Sequence, residues 1–229
     1  MKAVILAAGR GTRMGGLTDK KPKSLLPLAG KTIIEYTLLS LPLEIDSVVV
    51  VVKYLGDMIK REIGSEYAGI KIDYVEQKMD GTAGAVWSAK EKIGKGKLLV
   101  LNGDDLYSKK DISKCLSHET AMGLQEIILP SQNYLIIESD SSGFITGWHK
   151  PSREELGVKQ KSAVGIYVID ERIFDYEPVV LLNGEYGLPQ TILSMSRDIP
   201  VKGVLVDNWV QINTPEELIR AEECLKIKK

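Results

Sequence analysis

Residues 1–28 read MKAVILAAGRGTRMGGLTDKKPKSLLPL, and this stretch organises the rest of the chain. Its apolar start, KAVILA, predicts a strand buried on both faces. Gly9 and Gly11 follow at once, and glycines directly after a buried strand let a ligand approach the backbone closely. Arg13 and Lys23 add fixed cations to the same loop. Backbone N–H groups together with Arg and Lys are typical of an anion site, and we expect a phosphate chain there.

Two common phosphate-binding motifs are excluded. The dinucleotide fingerprint GxGxxG needs a third glycine where Met14 stands. The segment 30–32, Gly-Lys-Thr, ends like a Walker A loop, but Leu25 occupies the position of that motif's first glycine. The anion site is therefore of another kind.

Composition limits the possible classes of protein. The chain has 229 residues, 44% of them hydrophobic and 27% charged, so we expect one domain with a sizeable core. A net charge of −1 argues against a nucleic-acid or membrane-surface partner, and no apolar run approaches the roughly 20 residues of a membrane span. Cys115 and Cys224 lack CxxC spacing, and a signal peptide has no room before the first strand, so we expect a cytoplasmic location. His118 and His149 are the only histidines, which excludes a His-rich metal site.

The first half of the chain alternates between strand and helix patterns. Apolar, β-branched runs predict strands, and apolar residues at helical spacing predict helices. The predicted strands are 2–7, 47–52, 70–75 and 97–101, and the predicted helices are 31–41, 55–63 and 81–93. Such alternation is typical of a parallel sheet with right-handed crossovers, so we predict a Rossmann-like, doubly wound α/β fold.

The pattern changes after Ala121. Short strands are predicted at 125–129, 134–138 and 144–148, with a hairpin turn at 140–143. A polar loop is predicted at 150–161, strands at 164–169 and 201–206, and helices at 188–195 and from Thr214 to about Ile227. We therefore expect a mixed, mainly parallel sheet with a small β-rich lobe.

Three loops should line one crevice, because ligands of open parallel sheets bind beyond the carboxyl ends of the strands. These loops are 8–23, 76–84 and 103–105. Asp104 follows a strand and suits Mg²⁺, a hard cation that takes one or two carboxylates and otherwise binds phosphate oxygens and water. The alternative for Asp104 or Asp105 is to cap the following turn.

Several motifs resemble the sugar-1-phosphate nucleotidyltransferases, also called nucleotide-sugar pyrophosphorylases. The motifs are LAAGRGTRM at 6–14, PKSLLP at 22–27, Glu76-Gln77, GTAGA at 81–85, Asn-Gly-Asp at 102–104 and the segment 209–217. The resemblance covers essentially the whole chain. It implies a GT-A-like fold and a single nucleotidyltransferase domain over 1–229, with a nucleotide-binding half at 1–120 and an acceptor-binding half at 121–229.

In this family a sugar-1-phosphate oxygen attacks the α-phosphorus of a nucleoside triphosphate, and pyrophosphate leaves. The attacking phosphate has a second pKa near ~6, so it needs no general base at neutral pH. Catalysis is positioning and charge neutralisation. By resemblance, Arg13 holds the triphosphate and the leaving pyrophosphate, Lys23 holds the α-phosphate, and Asp104 holds Mg²⁺.

The resemblance also implies a nucleotide pocket. It assigns to this pocket Leu6, Ala7, Ala8, Gly9, Gly11, Thr12, Gln77, Gly81 and Thr82. An amide such as that of Gln77 is both donor and acceptor, so it does not by itself identify the base. The Ala-Ala-Gly form is commonest among uridylyltransferases, so UTP is favoured and dTTP comes next.

The acceptor side departs from the family pattern. His149 stands where a glutamate usually contacts sugar hydroxyls, while Lys150 can still bind the sugar phosphate. Gly165 ends a segment, 163–165, that lacks the usual asparagine, and Leu135 follows Tyr134 where glycine is common. We therefore expect His149, Lys150 and Gly165 to bind an unusual acceptor.

The second metal-binding carboxylate of the family is missing. Gln211 stands at its position, and an amide oxygen can ligate Mg²⁺ but carries no charge. Asn213 could contribute instead, and Asp207 is a third candidate. We expect an enzyme that needs more Mg²⁺.

We interpret the chain as a Mg²⁺-dependent nucleotidyltransferase whose partners are a nucleoside triphosphate and a sugar 1-phosphate, and we leave a homo-oligomer open. One alternative is a cytidylyltransferase acting on a non-sugar phosphate such as phosphocholine or inositol phosphate. Another is a non-catalytic, nucleotide-binding regulatory domain, suggested by Gln211. Against the regulatory alternative, Arg13, Lys23, Asp104 and Lys150 are all present.

Overall fold

The computed structural model describes residues 1–132 and 134–227, and of Ile227 it describes the backbone alone. The strands in this part of the chain are β1 (Lys2–Leu6), β2 (Pro27–Leu28), β3 (Lys31–Thr32), β4 (Ser47–Val52), β5 (Glu66–Tyr67), β6 (Ile70–Glu76), β7 (Leu98–Asn102), β8 (Ala121–Ile128), β9 (Ile136–Ser139), β10 (Ile145–His149), β11 (Lys159–Ile169) and β12 (Lys202–Leu205).

The α-helices are short. They are α1 (Ile33–Leu39), α2 (Gly56–Ile63), α3 (Gly81–Ser88), α4 (Lys90–Ile93), α5 (Lys109–Leu116), α6 (Leu188–Met195) and α7 (Pro215–Ile227). Single 3₁₀ segments lie at Thr12–Thr18, Lys23–Leu25 and Glu171–Asp175. Among residues 1–132 and 134–227, none of the helices has the length and apolar character to cross a membrane.

One eight-stranded sheet carries the fold, in the order β12-β8-β11-β7-β1-β4-β6-β5. β1 lies inside this sheet and pairs in parallel with β4 and β7. β11 enters between β7 and β8 and pairs antiparallel with both. The predicted mixed, mainly parallel α/β sheet is confirmed.

β1 is buried because each face of the sheet has its own core. Ala3 and Ile5 point into one hydrophobic cluster, and Val4 points into the other. Successive side chains of a strand alternate between faces, so a strand covered on both sides must be apolar at every position. This explains the continuous apolar run at the start of the chain.

Strand pairing changed the start of two predicted elements, and a third predicted element is divided in two. The predicted helix 31–41 begins only at Ile33, because residues 31–32 pair with β2. β11 begins at Lys159, inside the predicted polar loop 150–161, and its first residues pair with β8. The predicted helix 81–93 is divided at Ala89 into α3 and α4.

The predicted β-rich lobe is the two-stranded sheet of β9 and β10. Its turn is the predicted one, with the Gly143 N–H donating to the Asp140 carbonyl at 2.9 Å. Strands from both halves of the chain share the main sheet, so the division into a nucleotide-binding and an acceptor-binding half stays a prediction.

Gly165 interrupts β11 where the strand passes the end of β7. The pairing of β11 with β8 shifts register between Ala163 and Tyr167. Gly165 has φ +77°, which favours glycine, and a Cβ there would overlap the amide of Asn102 at the end of β7. The bulge therefore brings the backbone of β11 close to the carboxyl end of β7.

Candidate active site

A cleft of about 1020 Å³ lies at the carboxyl ends of β1 and β7. Its walls include residues from the loop after β1, from the start of α3 and from the loop after β7. These are the three loops expected to meet at one crevice, and their convergence is confirmed. The second half of the chain closes the cleft with residues from β11, from the loop before β9 and from the segments before α6 and α7.

The loop after β1 is held against Lys23. Gly11 has φ +69°, and its carbonyl accepts hydrogen bonds from the Met14 N–H at 2.9 Å and the Thr18 hydroxyl at 3.1 Å. A Cβ on Gly11 would lie 2.9 Å from the Cβ of Lys23. The absence of a side chain at position 11 therefore lets the glycine loop and Lys23 face the same space.

Lys23 lies at the centre of a polar network in the cleft. Its side chain is 6% exposed, and Nζ donates to Asp104 Oδ2 at 2.7 Å and to Asn213 Oδ1 at 3.1 Å. Arg13 donates from Nη2 to the same Asn213 oxygen at 2.9 Å. Two cations from the loop after β1, a carboxylate from the loop after β7 and an amide from the segment before α7 thus meet in the cleft.

Asn213 holds the two cations in place. Its Oδ1 receives hydrogen bonds from both Arg13 and Lys23, which engages both lone pairs of an amide oxygen. An oxygen placed between two cations is poorly suited to a divalent metal. The geometry therefore gives no support to the predicted metal role of Asn213, and it makes this residue an anchor for the predicted catalytic side chains.

Asp105 positions the segment that carries Gln211 and Asn213 through hydrogen bonds. Its carboxylate accepts hydrogen bonds from the Trp209 indole N–H and the Ile212 backbone N–H, each at 3.2 Å. Burial and, next, the charge of nearby Asp104 raise the pKa of Asp105, whereas Lys23 and the two hydrogen bonds lower it, and the net pKa is about 7. Asp105 therefore does more than cap the turn after β7, because it fixes a segment more than 100 residues away in the sequence.

Gln211 also faces the cleft. Its Oε1 accepts a hydrogen bond from the Tyr134 hydroxyl at 2.8 Å, which leaves one lone pair for another donor or a metal. Burial raises the pKa of the Tyr134 phenol, so this hydroxyl stays a donor at neutral pH. Asp207 instead forms an ion pair with Lys114 at 2.9 Å and is absent from the cleft walls, so its candidacy as a metal ligand was wrong.

The predicted nucleotide residues line the cleft with one exception. The residues that do so are Leu6, Ala8, Gly9, Gly11, Thr12, Gln77, Gly81 and Thr82. Ala7 does not, because its side chain packs into the hydrophobic core and its N–H donates to the Val51 carbonyl at 2.9 Å. The nucleotide role of Ala7 rests on its backbone rather than its side chain, and with the N–H engaged by Val51 it stays a prediction.

Gln77 has a defined orientation. Its amide nitrogen donates to the Met79 carbonyl at 2.6 Å and to the Gly81 carbonyl at 2.9 Å. Both N–H groups are thereby used, and the amide oxygen is left as the acceptor that faces a ligand. Gly81 has φ +88°, and a Cβ there would overlap the backbone of Tyr186, so this position requires glycine.

The acceptor-side residues divide into two groups. Gly165 lines the cleft, whereas His149 and Lys150 do not. His149 lies on the β-rich lobe, where its ring nitrogens contact Glu138 at 2.9 Å and Glu155 at 3.0 Å. These contacts attach the segment after β10 to β9, so His149 acts as a clip on the lobe, and its contact with the acceptor stays a prediction.

Sequence reasoning missed a hairpin that forms one wall of the cleft. It runs from Val179 to Gly187, and the Gly187 N–H donates to the Val179 carbonyl at 2.9 Å. The Tyr186 backbone pairs with Asp80 and Ala83 at the start of α3. Asn-Gly at 183–184, directly after the apolar run 179–182, is a turn signal that could have revealed it.

Comparison with known proteins identifies the family. The sequence model of the family described as nucleotidyl transferase matches residues 2–221. The chain belongs to this family. The predicted resemblance to the sugar-1-phosphate nucleotidyltransferases is thereby confirmed.

Individual relatives agree with this assignment. The bifunctional protein GlmU of Methanocaldococcus jannaschii is 28% identical over 229 residues, which cover 98% of this chain and 54% of that protein. The UTP–glucose-1-phosphate uridylyltransferase AglF of Haloferax volcanii is 28% identical over 239 residues, which cover 99% and 97% of the two chains. This chain thus spans about half the length of the GlmU protein and nearly all of AglF.

The fold also has a close counterpart among solved structures. A UDP-glucose pyrophosphorylase complexed with UDP-glucose superposes with a TM-score of 0.86 at 19% sequence identity. The match covers 100% of this chain and 99% of that one. It confirms the nucleotidyltransferase fold over the whole chain.

The clip at His149 makes a pH-dependent contribution to stability. Hydrogen bonds to Glu155 and then Glu138 raise the pKa of His149 above its ordinary value near 6.5. A histidine whose pKa is higher in the folded than in the unfolded protein stabilises the fold. This contribution is complete at pH values below the pKa in the unfolded protein, and it is lost as the pH rises through the pKa in the folded protein. We expect His149→Gln to lower the free energy of unfolding at pH 5.5 but not at pH 8.5, by less than about 1 kcal/mol because the ring is 42% exposed.

Urea unfolding of the wild type and His149→Gln at both pH values measures this effect. His118→Gln is the control, because the contacts of His118 do not include Glu138 or Glu155. An equal effect of His149→Gln at pH 5.5 and pH 8.5 would contradict the expectation.

Proposed function

We propose that this chain transfers a nucleotidyl group from a nucleoside triphosphate to a sugar 1-phosphate and releases pyrophosphate, with UTP favoured and dTTP next. The observation that carries the proposal is the network of Lys23, Arg13, Asp104 and Asn213 in the cleft. A cation that is nearly buried beside a carboxylate is well placed for a ligand that brings both phosphate charges and a metal.

The reaction needs positioning more than proton transfer. A phosphate oxygen of the acceptor forms a bond to the α-phosphorus, and the bond to the pyrophosphate breaks on the opposite side. Among the described residues no histidine lines the cleft, in keeping with an attacking group that is already anionic. Lys23 neutralises charge on the α-phosphate, and Arg13 does so on the departing pyrophosphate.

The donors near Asp104 suit Mg²⁺. In the described part of the chain no three His, Cys, Asp or Glu side chains are grouped as a metal site, so a cage made only of protein ligands is excluded there. Asp104 with the free lone pair of Gln211 leaves most positions to phosphate oxygens and water, which is the coordination Mg²⁺ prefers. Bound there, Mg²⁺ would neutralise phosphate charge.

The free oxygen of Gln77 favours uracil or thymine. Both of these bases carry an N–H donor at ring position 3, whereas the same position of cytosine is an acceptor. Aligned with ring position 3, the Gln77 oxygen would accept from uracil or thymine and would repel the ring nitrogen of cytosine. This argues for UTP or dTTP and against the cytidylyltransferase alternative. The printed name of AglF, a uridylyltransferase, points in the same direction.

Pyrophosphate release tests the proposal directly. Each of ATP, CTP, GTP, UTP and dTTP is combined with Mg²⁺ and with glucose 1-phosphate, galactose 1-phosphate, N-acetylglucosamine 1-phosphate, phosphocholine or inositol phosphate. We expect release with UTP and one of the sugar phosphates. Release with CTP and a non-sugar phosphate would favour the cytidylyltransferase alternative. Triphosphate binding without any release would favour the regulatory domain.

The metal proposal gives a separate prediction. Gln211→Asp adds a charged oxygen ligand to the cleft that Asp104 also lines, so we expect the Mg²⁺ concentration for half-maximal activity to fall by about 3–10-fold. A Mg²⁺ titration of initial rates measures it. Gln125→Asp is the control, because Gln125 lies outside the cleft and bonds the Asp207 carbonyl. An unchanged Mg²⁺ requirement in Gln211→Asp would contradict the assignment of Gln211 to the metal.

A further inference from the structure

Gln190 is an unusual buried side chain. The residue is 8% exposed, and its Oε1 has no hydrogen-bond partner among the described residues. In native proteins nearly all buried polar groups are paired, so an exception calls for a physical reason. One other buried side-chain oxygen of this described part, Ser24 Oγ, shares the property.

The position of Gln190 supplies that reason. It lies in the first turn of α6 and forms part of the cleft wall together with Gly187 and Pro189. A Cβ at Gly187 would overlap the Gln190 amide oxygen, so glycine at 187 provides the space that the amide occupies. The N-terminal end of a helix and an unpaired amide therefore share one site in the cleft.

We propose that the amide of Gln190 binds the sugar moiety of the acceptor and helps to select it. The inference rests on the proposed function. An amide presents a donor and an acceptor side by side, and a sugar hydroxyl or an acetamido group can pair with both. A phosphate offers acceptors only and would leave Oε1 unpaired, so the phosphate of the acceptor is excluded as the partner.

The sugar is a better partner than the base. Gln77 already presents a free amide oxygen to the base from the first half of the chain. Gln190 lies at the start of α6, next to the hairpin that ends at Gly187, in a part of the chain that the nucleotide motifs do not include. The hairpin also contributes Glu185 to the cleft, and a carboxylate there accepts from hydroxyls but repels phosphate.

Gln190→Met tests the inference, because methionine keeps the size of the side chain and removes the amide. With the sugar 1-phosphate that the wild type uses, we expect the KM for that acceptor to rise about tenfold and the KM for the nucleoside triphosphate to stay unchanged. We also expect the wild type to discriminate against one monodeoxy analogue of the acceptor and the variant to lose this discrimination. Gln125→Met is the matched control, since Gln125 lies outside the cleft.

The outcomes separate this inference from the proposed function. A wild type that releases no pyrophosphate with any sugar 1-phosphate overturns both. An active wild type with an unchanged acceptor KM in Gln190→Met, or with a raised KM for the triphosphate instead, overturns this inference alone. If Gln190→Met does not fold by circular dichroism, Gln190→Leu decides, because it also removes the amide and its acceptor oxygen. A normal acceptor KM in Gln190→Leu then overturns the inference.

Discussion

Lys23→Met should lower kcat by about 100–1000-fold while the protein remains folded, because it removes a fixed positive charge from the place where the α-phosphate reacts. The lysine is 6% exposed and is held by Asp104 and Asn213, so its charge is already oriented before any substrate binds. A charge in a partly dry cleft acts more strongly than the same charge in water. Methionine retains most of the side-chain volume, so the packing against Gly11 is kept.

Initial rates of pyrophosphate release under saturating substrates measure this loss. Lys92→Met is the control, since Lys92 is also ion-paired, with Asp73 at 3.2 Å, but lies outside the cleft. Thermal unfolding of both variants separates loss of chemistry from loss of fold. A reduction of kcat smaller than tenfold in a folded Lys23→Met variant would remove Lys23 from the catalytic role.

Asp105→Ala should lower the free energy of unfolding by about 2–5 kcal/mol, because two N–H groups lose their buried acceptor. These are the indole N–H of Trp209 and the backbone N–H of Ile212. Removal of the carboxylate also relieves its burial and its repulsion by Asp104, which offsets part of the loss. We expect kcat to fall as well. The freed segment carries Asn213, whose side chain holds Lys23 and Arg13 in place.

Urea unfolding and initial rates measure the two effects of Asp105→Ala. Trp209→Phe is the matched comparison, because it removes one of the two hydrogen bonds and leaves the bond from Ile212. We expect a smaller loss there, about 1 kcal/mol. If Asp105→Ala were as stable as the wild type and equally active, Asp105 would not be the residue that positions this segment.

The sequence was most informative where a residue's environment is local or periodic. The strand Ser47–Val52 and the helix Leu188–Met195 have the predicted bounds, because a β-branched run and a helical repeat each signal their structure within a few residues. The turn at 140–143 follows in the same way from local turn chemistry. By contrast, the start of β11 lies in a polar stretch and depends on pairing with β8, which no local pattern reveals.

The candidate site divides in the same manner. Arg13, Lys23 and Asp104 follow from the motifs, because the ends of parallel strands meet at one edge of a sheet. The roles of Asp105 and Gln190 could not be predicted. The hydrogen-bond partners of Asp105 are distant in sequence, and Gln190 Oε1 has no partner among the described residues. The contacts of His149 with Glu138 and Glu155 were also beyond prediction, since a motif position does not say which way a lobe turns its side chains.

The sequence by itself thus determined the family, the mixed α/β sheet and the cationic loop after β1. Only the tertiary structure decided that Asn213 joins the two cations, that Asp105 ties the 209–213 segment to β7, and that Gln190 stands unpaired in the cleft wall. The physical reason is that periodicity and turn chemistry act over a few residues. A hydrogen bond or a charge pair between distant segments exists only after the sheet has brought them together.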